Sequence, residues 1–269
     1  MGSLFERINS ATKVPEVTHQ ILFDTSWPEL TPTQVVLWDI SLDTGISALS
    51  QFSEVLSSSE HERAERFHNS RRARQYIVAH GVLRLLLSGY TGISPRDLIF
   101  NLSSLGKPAL PNHEIEFSIS HSGDALMLAF ARGRRVGIDV EAINPRSEIR
   151  TLAPRIFSRT ELADMEILPP ANWEFAFYQG WVLKEAYLKA CGDGLSRDLR
   201  EVRIALTSAG VEPAEWTLID GSWSARSLAI PDAAAALVVE GTDWTLRRSR
   251  LRLSNESSID RPELVHACC

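Results

Sequence analysis

A chain of 269 residues that is 44% hydrophobic and 23% charged has a globular composition, with enough material for one large domain or two small ones. Its net charge of −6 argues against a general nucleic-acid binder, and no stretch approaches the roughly 18 apolar residues of a membrane span. Three cysteines (Cys191, Cys268 and Cys269) cannot form a disulfide framework, and no C-x-x-C or H-E-x-x-H zinc spacing occurs, so a cytoplasmic protein is expected. Lipidation is not expected: Glu6 stands where a myristoylation site needs Ser or Thr, and Cys268-Cys269 does not match C-a-a-X.

The first thirty or so residues, with Pro15, Pro28 and Pro32, read as an irregular lead-in, followed by a strand over 33–40, "TQVVLWDI". Helices are expected over 47–56, from a capping box at Ser59-x-x-Glu62, and over 71–90. In the last of these, Tyr76, Val82, Leu83, Leu86 and Leu87 follow helical spacing, and Gly89 and Gly92 punctuate the end. Between 98 and 141 the pattern changes to strands: "LIFNL", "IEFSISH", "ALMLAFA" and "RVGIDVE", with a tight turn at Gly123-Asp124. Ser158-x-x-Glu161 opens another helix, Pro169-Pro170 breaks it, and a second long helix is expected over 172–190 with Gly192 as its C-terminal cap. Strands return at "EVRIAL", "SWSARSLAI" and "AAALVVEG", and a loose polar tail comes after Leu253. Helices then strands, twice over, point to an α+β fold of two similar halves joined near Gly133. The expected parts are 1–133, 134–252 and a tail over 253–269, with the active site in the cleft between the halves.

In "VGIDVE" the alternation places Asp139 and Glu141 on one face of a strand, either a solvated face or a pair gathered to hold a cation. In "WVLKEAYLK", Trp181, Glu185 and Lys189 share a helical face; the tryptophan implies partial burial, and a half-buried Glu185 needs a partner stronger than one solvated lysine. Ser120 and His121 in "FSISHS" point opposite ways along a strand, so they do not form a nucleophile–base pair, and no G-x-S-x-G elbow occurs. That strand end, with hydroxyls and an imidazole, suits a phosphate. Lys107 in "LGKPAL" offers a point charge beside a permissive Gly106. Arg84 interrupts the apolar run "GVLRLLL" and needs an anionic partner or a route to solvent, and an arginine-rich stretch that includes Arg63 precedes it.

Taken together and in order, "GKPAL", "FSISHSGD", "VGIDVE" and "FYQGWVLKEAYLKACGDGL" resemble the 4′-phosphopantetheinyl transferases, in their larger, single-chain Sfp-type branch built from two similar halves. The similarity spans roughly residues 33–240. It implies transfer of the phosphopantetheine arm of coenzyme A to a serine of an apo acyl or peptidyl carrier protein, with release of 3′,5′-ADP and a requirement for Mg²⁺. By motif position it implies Asp139, Glu141 and Glu185 as metal carboxylates, with Glu185 and Lys189 catalytic. Lys189 would meet the pyrophosphate of coenzyme A, Lys107 its phosphate side, Ser120 and His121 the ligand (His121 at the 3′-phosphate), and Arg63 and Arg84 nucleotide or phosphate positions. Glu60 stands where relatives carry another basic residue. A monomer that binds neither nucleic acid nor membrane is expected. The competing readings are a Mg²⁺-dependent hydrolase of a coenzyme A-like pyrophosphate and a non-catalytic coenzyme A or carrier-protein binding module.

Overall fold

The computed structural model describes residues 28–42, 46–103, 106–143, 148–192, 197–207, 210–213, 217–218, 221–251 and 253. The expected tail, with Cys268 and Cys269, and most of the lead-in lie outside these residues. The chain divides into two compact units, one containing Ile40–Ile99, the other Leu30–Asp39 and Phe100–Arg248.

The first unit holds helices α1 (Ile46–Glu54), α2 (Ser58–Glu65) and α3 (Ser70–Thr91). The capping box of α2 sits two residues earlier than its sequence signature indicated. The Ser57 side chain accepts from the Glu60 N–H, and Glu60 reaches back to the Ser57 N–H at 2.8 Å. Ser59-x-x-Glu62 fits the same consensus, and burial decides between them: Glu60 is buried, because it also serves α3. Val78, Val82, Leu83, Leu86 and Leu87 line the buried side of α3, and the helix stops at Gly92, whose φ of 73° suits glycine.

Arg84, 2% exposed, donates from Nε to Glu60 Oε2 at 2.6 Å and from one terminal nitrogen to the carbonyls of Pro95 and Leu98 at 2.7 and 3.0 Å. The anionic partner that this arginine requires is therefore Glu60. A guanidinium held in this way ties α2, α3 and the 3₁₀ turn Pro95–Asp97 together. Burial alone would raise the pKa of Glu60, but hydrogen bonds from His80, the Ser57 N–H and Arg84 outweigh it and hold the carboxyl at about 2.

The second unit contains strands β1 (Gln34–Ser41, shared at its end with the first unit), β2 (Asn101–Leu102), β3 (Pro108–Ala109), β4 (Ile115–Ser122), β5 (Ala125–Arg132) and β6 (Val136–Ala142). Helices α4 (Ile149–Ile156), α5 (Arg159–Glu166) and α6 (Pro170–Cys191) come next. Then come β7 (Ile204–Thr207), β8 (Gly210–Pro213), β9 (Thr217–Leu218), β10 (Gly221–Ile230), β11 (Ala233–Glu240) and β12 (Thr245–Leu251, shared at its end with the first unit). One sheet has the order β12-β1-β5-β4 and a second β6-β11-β10-β9; β2-β3 and β7-β8 are small pairs. One core lies between the two four-stranded sheets, with Val35, Leu37, Met127, Ile138, Val140 and Leu237 in it; another packs α4–α6 on the opposite face of the second sheet. The fold is α+β, as expected.

The compact units do not part at Gly133. The β4–β5 hairpin precedes that glycine yet groups with β6 and the elements C-terminal to it, because β4 is bonded to β6 along its length through side chains. "LIFNL" yields only two strand residues, since a 3₁₀ turn ends just before it and Ile99 is 71% exposed.

Helix α6 is held as α3 is. The side chain of Ser158 accepts from the Glu161 N–H in the capping box of α5, and Glu161 Oε2 accepts from Lys184 Nζ at 2.7 Å. Lys184, fully buried, also donates to the carbonyls of Ile156 and Leu199 at 3.0 and 3.2 Å. α3 and α6 are each 22 residues long and each end on a left-handed glycine. The two halves of the chain thus repeat one device, a buried acid in a capping box clamping a base on the long helix.

Candidate active site

The site grows from how closely β6 and α6 approach. A Cβ added to Gly137 would lie 2.0 Å from the Ala186 carbonyl oxygen and 2.5 Å from the Ala190 nitrogen, so only glycine allows this contact. Asp139 and Glu141 succeed Gly137 on the same strand face, and Glu185 and Lys189 immediately precede Ala186 and Ala190 on the helix. Backbone proximity therefore delivers two strand carboxylates to a helical carboxylate and ammonium. Lys189 Nζ lies 2.6 Å from Asp139 Oδ1, with the aspartate 4% exposed.

On its other side β6 meets the edge of β4. Here serine hydroxyls stand where a paired strand would offer carbonyls: Ser118, Ser120 and Ser122 Oγ accept the N–H groups of Ile138, Val140 and Ala142 at 3.1, 3.3 and 3.0 Å. Ser120 also donates to Asp139 Oδ1 at 2.8 Å and accepts from Lys189 at 2.9 Å; Ser122 donates to Glu141 Oε2 at 2.8 Å. Asp139 Oδ2 is buried with no hydrogen-bond partner. Burial pushes the Glu185 carboxyl above the usual glutamate range and the charge of Asp139 adds to it, with Glu141 a smaller contributor; Lys189 and a hydrogen bond from Trp181 pull the other way. An orphaned buried carboxylate oxygen beside two further acids, one of them reluctant to ionise, is a set of hard oxygen donors with one lysine against three acids.

Two family models match the chain: "4′-phosphopantetheinyl transferase superfamily" over 135–239 and "4′-phosphopantetheinyl transferase, N-terminal" over 44–132. The 4′-phosphopantetheinyl transferase HetI of Nostoc sp. is 38% identical over 217 residues, covering 78% of this chain and 90% of that protein. The chain belongs to the 4′-phosphopantetheinyl transferase superfamily. The 4′-phosphopantetheinyl transferase Sfp of Bacillus subtilis is 30% identical over 161 residues, or 60% of this chain and 70% of that protein. Among solved structures, a holo-(acyl-carrier-protein) synthase from Bacillus anthracis, in complex with CoA (3′,5′-ADP), aligns with a TM-score of 0.34 at 20% identity, covering 40% of this chain and 96% of that one.

Of the residues that the transferase motifs single out, Asp139, Glu141, Glu185, Lys189 and Ser120 lie together. Lys107 joins them through the helix end. Its Nζ reaches the carbonyls of Val136 and Ala190 at 3.4 and 3.5 Å and Glu116 at 3.8 Å, and burial lowers its pKa. Lys107 and Lys189 line one cleft of about 220 Å³, with Phe117 and Ile119 in its wall. His121 is exposed on β4, and Arg63 is exposed on α2 in the other unit, its guanidinium 5.6 Å from the centre of the Tyr76 ring. Among the described residues no three acidic, histidine or cysteine side chains converge closely enough to enclose an ion unaided. This still fits Mg²⁺, which takes one or two protein carboxylates and completes its shell with substrate phosphates and water. Gly137 and Ser122 were missed by sequence reasoning. A signal existed for each: the small residue leading the acidic face of "VGIDVE", and the serines at every second position of "FSISHS".

Proposed function

We propose that this transferase moves the 4′-phosphopantetheine arm of coenzyme A to a serine hydroxyl of an apo acyl or peptidyl carrier protein and releases 3′,5′-ADP. The observation that carries the reading is the junction of β6 and α6, where Asp139, Glu141, Glu185 and Lys189 share one partly buried place beside a lysine-lined cleft. Attack at phosphorus builds charge on the non-bridging and leaving oxygens, so catalysis is chiefly positioning and charge stabilisation.

Lys189 neutralises the pyrophosphate and Lys107 the phosphate side of the ligand. His121 meets the 3′-phosphate and Arg63 the nucleotide. Glu185, directly or through a water, takes the proton of the carrier serine as the new P–O bond forms and the bridging P–O bond of the pyrophosphate breaks, and the leaving 3′,5′-ADP departs with its charge balanced by Lys189. Asp139, Glu141 and Glu185 are the residues from which the one or two carboxylates holding Mg²⁺ would come, and the ion would supply positive charge to the pyrophosphate. Ser120, beside the coenzyme A contact its motif implies, orders the acid and the base, because its hydroxyl engages Asp139, Lys189 and the Val140 N–H. The protein acts as a cytoplasmic monomer.

The test is 3′,5′-ADP release with Mg²⁺ and coenzyme A, with and without an apo carrier protein. Release that requires the carrier, one equivalent per carrier modified, supports transfer. Release without any carrier makes the protein a hydrolase, and tight coenzyme A binding without release makes it a binding module.

A further inference from the structure

We infer that Ser122 is a positioning residue that fixes Glu141 for the cation, so that the Ser120 and Ser122 hydroxyls between β4 and β6 serve the acids as well as the structural joint. The inference rests on the reading of Glu141 as a cation carboxylate. β4 and β6 are edge strands of different sheets, and three hydroxyls at alternate positions bridge them. Each hydroxyl accepts one β6 N–H, so its own proton must point elsewhere.

At Ser122 that proton goes to Glu141 Oε2 at 2.8 Å, and at Ser120 to Asp139 Oδ1 at 2.8 Å. The backbone N–H thus sets the direction of the hydroxyl, and the hydroxyl sets the rotamer of the acid. Ser118 accepts the Ile138 N–H in the same way, and no hydrogen bond from it to an acid is seen among the described residues. It forms a natural control, sharing the joint without sharing the carboxylate. Hydrogen-bond partners that orient metal ligands typically contribute about 10–100-fold to metal affinity.

The experiment titrates Mn²⁺, as a spectroscopic stand-in for Mg²⁺, into the full chain with saturating coenzyme A. Free Mn²⁺ is read by electron paramagnetic resonance, and thermal melting is recorded in parallel. Ser122→Ala should weaken Mn²⁺ binding about 10-fold or more. Ser122→Thr, which keeps a hydroxyl, should restore it, and Ser118→Ala should lower the melting temperature comparably while leaving Mn²⁺ affinity at the wild-type value. In a Glu141→Ala background, Ser122→Ala should add no further loss, because its acceptor is gone. Equal effects of Ser118→Ala and Ser122→Ala on Mn²⁺ affinity, or no effect of Ser122→Ala while Glu141→Ala weakens binding, would overturn the positioning role. An unchanged affinity in Glu141→Ala would instead overturn the reading of Glu141 on which the inference stands.

Discussion

Replacing Gly137 with alanine would place a methyl carbon 2.0 Å from the Ala186 carbonyl oxygen, 2.5 Å from the Ala190 nitrogen and 3.0 Å from its Cα. All three atoms are backbone, so no side chain can swing aside. An ordinary C···O contact is about 3.3 Å or more, so strand and helix must part by about 1.3 Å at this point. Overpacking of this kind costs about 1–3 kcal/mol of stability, a loss that a chain with cores on both faces of its second sheet survives. The catalytic consequence is larger. Glu185 and Lys189 flank the two displaced residues, and a misplacement of about 1 Å costs about 100-fold in rate. Gly137→Ala should therefore lower kcat/KM for carrier modification by about 100-fold while melting only a few degrees early. Gly133→Ala is the matched control: its φ of 66° makes alanine strained, but nothing lies within 4 Å of the new methyl, so it should lose stability and keep activity. Activity of Gly137→Ala within about threefold of wild type, a difference of under 1 kcal/mol, would refute the claim that this glycine sets the site.

Three further outcomes are expected. Glu60 titrates at about 2 in the folded chain against an ordinary value of 4.5. The depressed value means its stabilisation is complete above pH 4.5 and is lost as pH falls towards 2, a gap worth about 3 kcal/mol. Urea midpoints of Glu60→Gln should thus fall well below wild type at pH 7 and converge with it near pH 2; parallel curves would contradict this. Glu185 has the opposite sign: its raised pKa favours the folded state most at low pH, and that advantage is lost as pH rises through the folded value. With a chelator present, Glu185→Gln should melt higher than wild type at pH 7 and show no such gain below pH 4; with Mg²⁺ restored it should transfer no phosphopantetheine while wild type does. Lys184→Met leaves Glu161 buried without its cation and should cost about 3–5 kcal/mol in chemical denaturation, since breaking a buried pair is worse than never making one. A loss under about 1 kcal/mol would mean water or another donor replaces the lysine.

Helix α5 was legible from its capping box, Ser158 and Glu161, and the long helix α6 from its apolar spacing and its terminal Gly192. The central strands were legible for the same reason: alternation in "FSISHS" and "VGIDVE" matches β4 and β6. What sequence reasoning missed depends on contacts between distant segments. Helix α4 carries Pro154 and is only 8 residues long, too short for its pattern of Ile149, Ala153 and Ile156 to stand out. Strand β12 is rich in arginine, and its place depends on Arg248 pairing with Asp39 on β1. Arg84 showed that it needed an anion, but nothing in the local sequence could say that Glu60, 24 residues away, supplies it. At the site the acids and lysines could be read from their spacing and family motifs. The fit that joins them could not, because Gly137 and Ser122 act through what is not beside them in the chain.

If the acids and lysine gathered where β6 meets α6 arm a carrier protein, the intact mass of an apo carrier reports it after incubation with coenzyme A, Mg²⁺ and the protein, alongside Asp139→Ala and Glu185→Ala. The expected result is a gain of one phosphopantetheine arm with the wild-type chain and none with either variant. A carrier left unmodified by the folded wild-type chain, across acceptors from fatty-acid, polyketide and non-ribosomal peptide synthesis, would contradict the transfer. A full mass gain from both variants would place the chemistry somewhere other than this junction.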